Sequence, residues 1–176
     1  MNFSQQIKKS NTDEWFTMEN DVSIILPYLL KNGYKKILCP FDTADSNFVK
    51  VLRREGLTVS YSHIQTGIDF FEIHNFDDYD AVVSNPPFSK RQKIFERLFE
   101  VKIPFALIMD FNGLFDSKAR WRLFKNNKFE LLIPCGRMHF LDENKNEKNS
   151  PNFQSIYVCH NMLHSQIVFP DSEKEG

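Results

Sequence analysis

Short apolar runs of strand length alternate with helical patterns along most of the chain. Apolar runs bounded by glycine, proline or polar residues predict strands at Lys35–Asp42, Leu57–Ile64, Asp80–Ser84, Pro104–Asp110 and Phe129–Pro134. Helical spacing between them predicts helices at Glu19–Asn32, Ser46–Arg54, Lys90–Val101 and Phe115–Asn126. Continuous apolar strands separated by helices indicate an α/β fold, whose mostly parallel sheet is covered by helices on both faces.

Polar residues and glycines mark the ends of these helices. Thr17, Ser46 and Ser89 each precede a helical pattern and carry a hydroxyl that can accept from N–H groups of the first turn. Gly33 and Gly56 follow two of the patterns and are expected to end them.

The last third of the chain changes character, because two further strand patterns are joined by a polar stretch. Arg137–Leu141 and Gln154–Cys159 have strand patterns, and Asp142–Asn152 between them is rich in Asn, Lys and Glu. We expect an antiparallel hairpin at the sheet edge. The length of 176 residues favours one domain. The expected division is a loose N-terminal segment at 1–12, a single catalytic domain at 13–165 and a flexible tail at 166–176.

The formal net charge is −1, from 22 basic and 23 acidic side chains, so no overall field attracts nucleic acid. Contact with a nucleic acid would depend on local groups of cations. The candidates are Lys90-Arg91-Gln92-Lys93 with Arg97, and Lys118, Arg120 and Arg122. A solvated helix face explains the same residues, and the sequence leaves both interpretations open.

Cysteine use and hydropathy favour a soluble cytoplasmic protein. The chain has three cysteines, Cys39, Cys135 and Cys159, in apolar, strand-like contexts. Because an odd number of cysteines cannot all form disulfides, reduced thiols are expected. The longest apolar run, Val22–Leu30, is interrupted by Pro27 and is too short to span a bilayer. No metal is expected, because Cys159, His160 and His164 lack a clear fourth ligand.

The most informative stretch is Asn85-Pro86-Pro87-Phe88, which follows an apolar strand directly. Two successive prolines fix φ at roughly −65° and remove two backbone donors, so strand pairing must end there. The side-chain carbonyl of Asn85 and the backbone carbonyls are acceptors, and Phe88 sets a flat aromatic face beside them. This combination fits a planar group that carries an amine.

An exocyclic amine of a nucleobase is a poor nucleophile because its lone pair is delocalised into the ring. If the Asn85 side-chain oxygen and the Pro86 carbonyl accept its two hydrogens, the nitrogen moves towards a tetrahedral geometry. Its lone pair can then attack an electrophilic methyl group. Stacking on Phe88 would hold the base, and such stacking contributes roughly 1–3 kcal/mol per base in single-strand binders. Positioning and fixed acceptors would carry the reaction without an obligatory general base.

Asn-Pro-Pro-Phe after an apolar strand resembles the catalytic motif of amino-group DNA methyltransferases, specifically the N6-adenine type. The neighbouring sequence is similar to small phage and prophage adenine methyltransferases, from about Asp13 to Cys159. The resemblance implies a Rossmann-like class I methyltransferase sheet with a reversed edge strand, and S-adenosylmethionine as methyl donor. It also implies DNA as the partner, with the target base flipped from its stack, in a bacterial or phage-infected cell. The catalytic residues that it implies are Asn85, Pro86, Pro87 and Phe88.

The same resemblance implies which residues hold the methyl donor. Asp69 would accept from the donor's adenine amine while Phe70 stacks on that ring. Asp42 or Asp45 would meet the donor's amino group, and Phe41 would pack on its aliphatic part. The full expected set is Trp15, Thr17, Pro40, Phe41, Asp42, Asp45, Ser46, Asp69, Phe70 and Asn85. The loop at 40–46 has no glycine, whereas the family normally uses glycines there to let the backbone approach the donor. Weaker or absent donor binding is therefore an open alternative.

Target-binding residues are expected on both sides of the base pocket. Ser89, Lys90 and Arg91 follow the motif directly. Arg137–Phe140 and Ser150–Phe153 resemble the late motif of the family, which shapes the pocket. From these two stretches Arg137 and Phe153 are predicted to contact the target, Phe153 by covering the second face of the base.

Other functions fit the same residues. The turn would also suit cytosine N4 or an amine in RNA or protein, because it constrains the amine and not the polymer. A non-catalytic protein of the same fold, binding nucleic acid or a partner, is a second alternative. A different nucleotide enzyme is disfavoured, because neither a Gly-rich phosphate loop nor a metal-carboxylate cluster is visible. Neither the target sequence nor the oligomeric state is predicted, and no separate target-recognition domain is recognisable.

Overall fold

The computed structural model of the chain describes residues 16–142, 144, 146–147 and 153–171. Its strands are β1 Phe16–Thr17, β2 Lys36–Cys39, β3 Thr58–Tyr61, β4 Ala81–Ser84, β5 Phe105–Asp110, β6 Glu130–Leu132, β7 Phe140–Leu141, β8 Ser155–His160 and β9 Ile167–Val168. Its helices are α1 Glu19–Ser23, α2 Leu26–Lys31, α3 Asn47–Arg54, α4 Arg91–Val101 and α5 Lys118–Asn126. Short 3₁₀ turns lie at Ile64–Thr66, Phe70–Glu72, Phe76–Asp78 and Phe88–Lys90.

Seven strands form the main sheet in the order β3-β2-β4-β5-β8-β6-β9. All of its neighbouring pairs are parallel except those that β8 makes with β5 and β6. The predicted fold class, a mostly parallel Rossmann-like α/β sheet with one reversed strand, is confirmed. The reversed strand β8 lies between β5 and β6 and not at the rim. Its Ile156–Cys159 segment is buried on both faces, which suits a central position.

The predicted hairpin of Arg137–Leu141 with Gln154–Cys159 is wrong. Leu141 pairs with Phe16 and Phe140 with Thr17, so β7 forms a separate two-stranded antiparallel sheet with β1. The apolar β8 instead pairs with β5 along six residue pairs, from Phe105 to Asp110. The greater burial available beside β5 accounts for this choice.

Helix ends agree with prediction at some positions and differ at others. Ser46 caps α3 as predicted, because its Oγ accepts from the N–H of Phe48 at 3.3 Å. Thr17 does not cap α1, since it is a strand residue and Met18 takes the cap position. Ser89 does not cap α4, since it lies in the 3₁₀ turn that precedes Arg91.

Two predicted helices also have different extents. The pattern over Glu19–Asn32 forms two helices, α1 and α2, and Pro27 near the start of α2 cannot donate back to the preceding turn. Gly33 follows the end of α2, as predicted, and has a φ of +72°. The last helix, α5, begins three residues later than predicted, where Ser117 Oγ accepts from the N–H of Arg120 at 3.1 Å.

Successive side chains of the strands enter two buried clusters, one on each face of the main sheet. Ile37 and Cys39 of β2 belong to the cluster that includes α3, and Leu38 belongs to the other. The second cluster is rich in phenylalanine and includes α4 and α5, whose Phe95 and Phe124 rings lie 5.1 Å apart between centroids. The helices therefore cover both faces, as predicted.

Several segment predictions can be compared with the described residues. Ile167 and Val168 pair with Leu131 and Leu132, so the tail predicted from residue 166 begins too early. Cys39 and Cys159 are buried strand residues with free thiols, whereas Cys135 is exposed in a bend, outside any strand. Across the part of the chain that is described, no helix combines the length and the apolar character needed to cross a membrane. The predicted loose N-terminal segment lies outside the described residues.

Candidate functional site

Two neighbouring parallel strands, β2 and β4, lead away from their carboxyl ends in opposite directions across the sheet. The chain passes from β2 through α3 to β3 on one side, and from β4 through α4 to β5 on the other. In open α/β sheets, ligands bind in the crevice at such a switch point. Asp42 lies just after β2 and Asn85 directly after β4, so both are placed at this crevice.

The carboxylate of Asp42 ties the two sides of the switch point together. Its Oδ1 accepts from the hydroxyl of Ser46 and its Oδ2 from the hydroxyl of Ser84, the last residue of β4. Asp42 is only 8% exposed. Burial raises its pKa to about 6, although both hydroxyl hydrogen bonds act in the opposite direction. Both carboxylate oxygens therefore have internal partners, so the described structure places Asp42 as a structural link.

The amide of Asn85 is oriented by Thr17. Asn85 Nδ2 donates to Thr17 Oγ1 at 3.2 Å, which makes Oδ1 the acceptor end of the amide. Thr17 is itself fixed, because Asn47 Nδ2 donates to its carbonyl at 2.8 Å and its backbone pairs with Phe140. The structure thus brings Thr17 to the predicted site, in contact with Asn85.

The chain after Asn85 forms a hydrogen-bonded turn. Pro86 is buried, and the carbonyl of Pro87 accepts from the N–H of Lys90 at 3.1 Å, which closes the 3₁₀ turn. The half-buried Phe88 ring lies 5.9 Å from that of Phe153, with planes at 77°. The structure brings these two predicted base-binding residues together. Their edge-to-face packing leaves no pair of parallel faces for a base, so a base on Phe88 would require Phe153 to move or rotate.

The carboxyl end of β5 adds residues that the sequence did not single out. Asp110 Oδ1 accepts from the N–H of Asn112 at 2.8 Å, and burial raises the pKa of Asp110. Phe111 is 44% exposed beside it. Arg91 Nη1 donates to the Asn112 carbonyl at 3.3 Å, so this predicted substrate-binding residue also holds the β5–α5 loop. The sequence could have indicated these residues through the predicted topology, because parallel strands end at one edge of the sheet and β5 is parallel to β4.

The predicted donor-binding residues lie around the ends of β2 and β3. The Phe70 ring is 2% exposed and lies 4.9 Å from the Phe41 ring, so it packs in the core. Asp69 Oδ1 accepts from the N–H of Phe71 at 3.1 Å and caps a short 3₁₀ turn. Asp45 is exposed and its carboxylate lies 3.8 Å from the Lys50 ammonium. Stacking of an adenine on Phe70 would require a change in this packing.

Among the described residues of this region, one buried polar atom has no hydrogen-bond partner. The Oγ of Ser62, directly after β3, is buried and has no partner, while the Ser62 carbonyl accepts from the N–H of Asp42 at 3.1 Å. Such a group calls for an unseen partner. A ribose hydroxyl is a suitable one, because acceptors or donors for the ribose commonly follow the second strand of these folds. The residues present therefore fit a nucleoside-containing donor at Ser62, although the Asp42 side chain is already occupied.

The remaining predicted residues are dispersed. Ser89, Lys90 and Arg137 are exposed, and Pro40 is buried. Trp15 and the Ser150–Asn152 part of the late motif lie outside the described residues. Among the residues that are described, no cluster of three or more His, Cys, Asp or Glu side chains could hold a metal ion.

Comparisons with known proteins include a distant structural likeness. No protein-family model and no curated protein matches this chain. A solved structure, a modification subunit assigned to a type I restriction enzyme of Vibrio vulnificus YJ016, aligns with 86% of this chain at 11% identity and a TM-score of 0.47. The chain spans 45% of the length of that subunit. The strand order of the main sheet establishes the fold independently of this likeness.

Proposed function

We propose that this chain is an S-adenosylmethionine-dependent methyltransferase that acts on the exocyclic N6 amine of adenine in DNA. The observation that carries the proposal is the position of Asn85-Pro86-Pro87-Phe88 at the carboxyl end of β4, beside the switch point, with the Asn85 amide oriented by Thr17. A rigid corner at this edge of the sheet can hold two acceptors at fixed positions before the substrate arrives.

Each residue of the turn has a separate task in the proposed reaction. Asn85 Oδ1 and the Pro86 carbonyl accept the two hydrogens of the amine and draw its lone pair out of conjugation. Phe88 offers its ring to the base, and the prolines keep the acceptors in place. S-adenosylmethionine, when bound, supplies the electrophilic methyl group. The amine proton is lost to solvent after transfer, so no side chain needs to act as a base.

On the donor side, Ser62 and Asp69 are the residues that we expect to hold S-adenosylmethionine. Ser62 contributes the unpaired buried hydroxyl, and Asp69 lies on the loop that follows β3. The Asp42 carboxylate would act indirectly, by holding Ser46 at the start of α3 and Ser84 before Asn85.

A second candidate function is a non-catalytic protein of this fold that binds nucleic acid or a partner. The observation that favours it is the closed state of the β2 loop, in which Asp42 is internally bonded and Phe70 is packed in the core. A methyltransferase acting on cytosine N4 or on an RNA amine would use the same turn. Product analysis distinguishes these from the adenine enzyme.

Calorimetric titration with S-adenosylmethionine and S-adenosylhomocysteine tests the proposal. We expect saturable binding that Asp69→Ala weakens and that Asp77→Ala, a change of an exposed acid on the next 3₁₀ turn, leaves unchanged. The titration is repeated with duplex DNA present, because DNA could complete the site. Absence of donor binding under both conditions would contradict the methyltransferase assignment and favour the non-catalytic alternative.

A further inference from the structure

The outward face of α5 carries a continuous strip of cationic and aromatic side chains. Four exposed residues recur at positions i, i+3, i+4 and i+7 and so share one face; we call them the α5 strip, and they are Lys118, Trp121, Arg122 and Lys125. The opposite face packs inward through Phe124, whose ring contacts those of Phe95 and Phe99. The strip is therefore a surface that the described residues leave exposed.

The charge of this segment is of one sign. Five cations and no carboxylate lie between Ser117 and Phe129, although the whole chain has a net charge of −1. Two of these cations have carboxylate partners just outside this segment, Arg120 with Asp116 at 2.5 Å and Lys128 with Glu130 at 3.8 Å, so the positive charge of the strip itself comes from Lys118, Arg122 and Lys125. A local positive field of this kind attracts a polyanion.

Trp121 distinguishes this strip from an ordinary solvated helix face. It is 52% exposed, and the Lys125 ammonium lies 4.7 Å from the centroid of its ring. The indole N–H is a hydrogen-bond donor that can reach a phosphate oxygen. Protein–protein interfaces favour Trp and Arg but are depleted of Lys, so two lysines without an acid favour a phosphate backbone over a protein partner.

The strip begins at the edge of the sheet where the proposed reaction centre lies. The chain leaves β5 at Asp110 and enters α5 at Lys118. Arg120 clamps this connection by donating to the carbonyls of Gly113 at 2.8 Å and Leu114 at 3.2 Å. Helix α4 likewise follows β4 and the turn that holds Asn85, so both helices come directly after strands that end at this edge.

We infer that the α5 strip docks the phosphate backbone of duplex DNA beside the target base. Lys118 and Lys125 are seven residues apart, so the strip is about 10 Å long at 1.5 Å per residue. This length corresponds to about three phosphates along one strand, at 3.4 Å of axial rise each. The inference rests on the proposed function in taking DNA as the substrate.

The test compares two triple variants of equal charge by fluorescence anisotropy of a labelled DNA duplex. The first is Lys118→Gln, Arg122→Gln, Lys125→Gln. The control is Lys31→Gln, Lys35→Gln, Lys50→Gln, which removes three exposed lysines on or near α2 and α3. We expect the first variant to bind duplex at least about tenfold more weakly than the control, with a salt slope of log K reduced by about 0.9 for each lost phosphate contact. Arg122→Glu alone is a second variant, expected to weaken binding in the same direction.

Three results would overturn the inference. The first is equal duplex binding by the two triple variants, and the second is no duplex binding by the unsubstituted protein at low salt. The third is tighter binding of single-stranded DNA or RNA that depends equally on the strip, since another nucleic acid would then be the occupant. The proposed donor-binding residues, Ser62 and Asp69, lie on the loop after β3 and not on α5, so calorimetry of donor binding is a separate readout. If the protein binds the donor but the strip variant binds duplex as well as the control does, only the docking surface is refuted. If the protein does not bind the donor but its DNA binding depends on the strip, only the proposed function is refuted.

Discussion

The two sides of the switch point are built differently. On the β4 side, the acceptor end of the Asn85 amide is set by Thr17, and prolines fix the chain that follows. On the β2 side, the Asp42 carboxylate is buried and bonded to two serine hydroxyls. The β4 side therefore presents an oriented amide followed by a proline-fixed turn, whereas the β2 side holds the sheet ends together.

This difference suggests separate roles for the two sides, with the proposed reaction at Asn85 and a structural role for Asp42. A group that must meet a substrate needs a fixed orientation, which the hydrogen bond to Thr17 gives to the Asn85 amide. A buried carboxylate with both oxygens bonded serves best as a link, and here it connects the start of α3 with the end of β4. Donor binding would then depend on groups further along the edge, such as Ser62 and Asp69.

Asn85→Ala removes the oriented amide on the β4 side and should have the largest effect on methyl transfer. It removes one of the two acceptors that the proposed reaction requires, so we expect methyl transfer to fall by roughly 100–1000-fold or more. Donor affinity should change little, because the change lies on the other side of the switch point. Steady-state turnover and calorimetry measure the two quantities, and Asn20→Ala on the exposed surface of α1 is the control. Turnover close to that of the unsubstituted protein would show that this turn is not the reaction centre.

Asp42→Asn should show how the buried carboxylate on the β2 side makes the free energy of unfolding depend on pH. A folded-state pKa raised from 3.8 to about 6 means that Asp42 favours the folded state while protonated and loses this contribution as pH rises through 6. Relative to Asp42→Asn, the free energy of unfolding of the unsubstituted protein should fall by about 3 kcal/mol between about pH 4 and pH 7. Urea unfolding of both proteins across this range measures the difference. A difference independent of pH would mean that Asp42 does not titrate in this window.

Thr17→Val tests the hydrogen bond that orients Asn85 on the β4 side, and its expected effect on turnover is the smallest of the three. Valine keeps the shape of threonine and removes the Oγ1 that accepts from Asn85 Nδ2. We expect turnover to fall about fivefold, which corresponds to ~1 kcal/mol for one hydrogen bond. Thr17→Ser, which retains the hydroxyl, should restore most of the activity. If Val and Ser variants lose activity equally, packing at β1 and not the hydrogen bond is the important contribution of Thr17.

Local sequence signals predicted the elements that create the site. The apolar strand before Asn85, the prolines after it and the Ser46 cap all act within a few residues, so pattern and stereochemistry suffice to identify them. For Thr17 the local pattern predicted only a helix cap, and its place near the site was implied by the family resemblance. Its contact with Asn85 spans 68 residues, and such a contact depends on tertiary pairing.

Predictions failed where pairing partners are distant in sequence. The β8 strand inserts beside β5, and β7 pairs with β1 near the start of the chain, because burial and partner availability outweigh proximity. The role of Asp42 was also missed. Its two hydroxyl partners come from different segments, and one of them, Ser84, looks like an ordinary strand residue in the sequence.

Analysis of the reaction product tests the central claim most directly. Duplex DNA is incubated with the protein and S-adenosylmethionine, then digested to nucleosides and examined by mass spectrometry, with Asn85→Ala in parallel. We expect N6-methyladenine with the unsubstituted protein and none above background with Asn85→Ala. Methylated cytosine would contradict the choice of base, and absence of any methylated nucleoside would contradict the assignment of this turn as a methyl-transfer site.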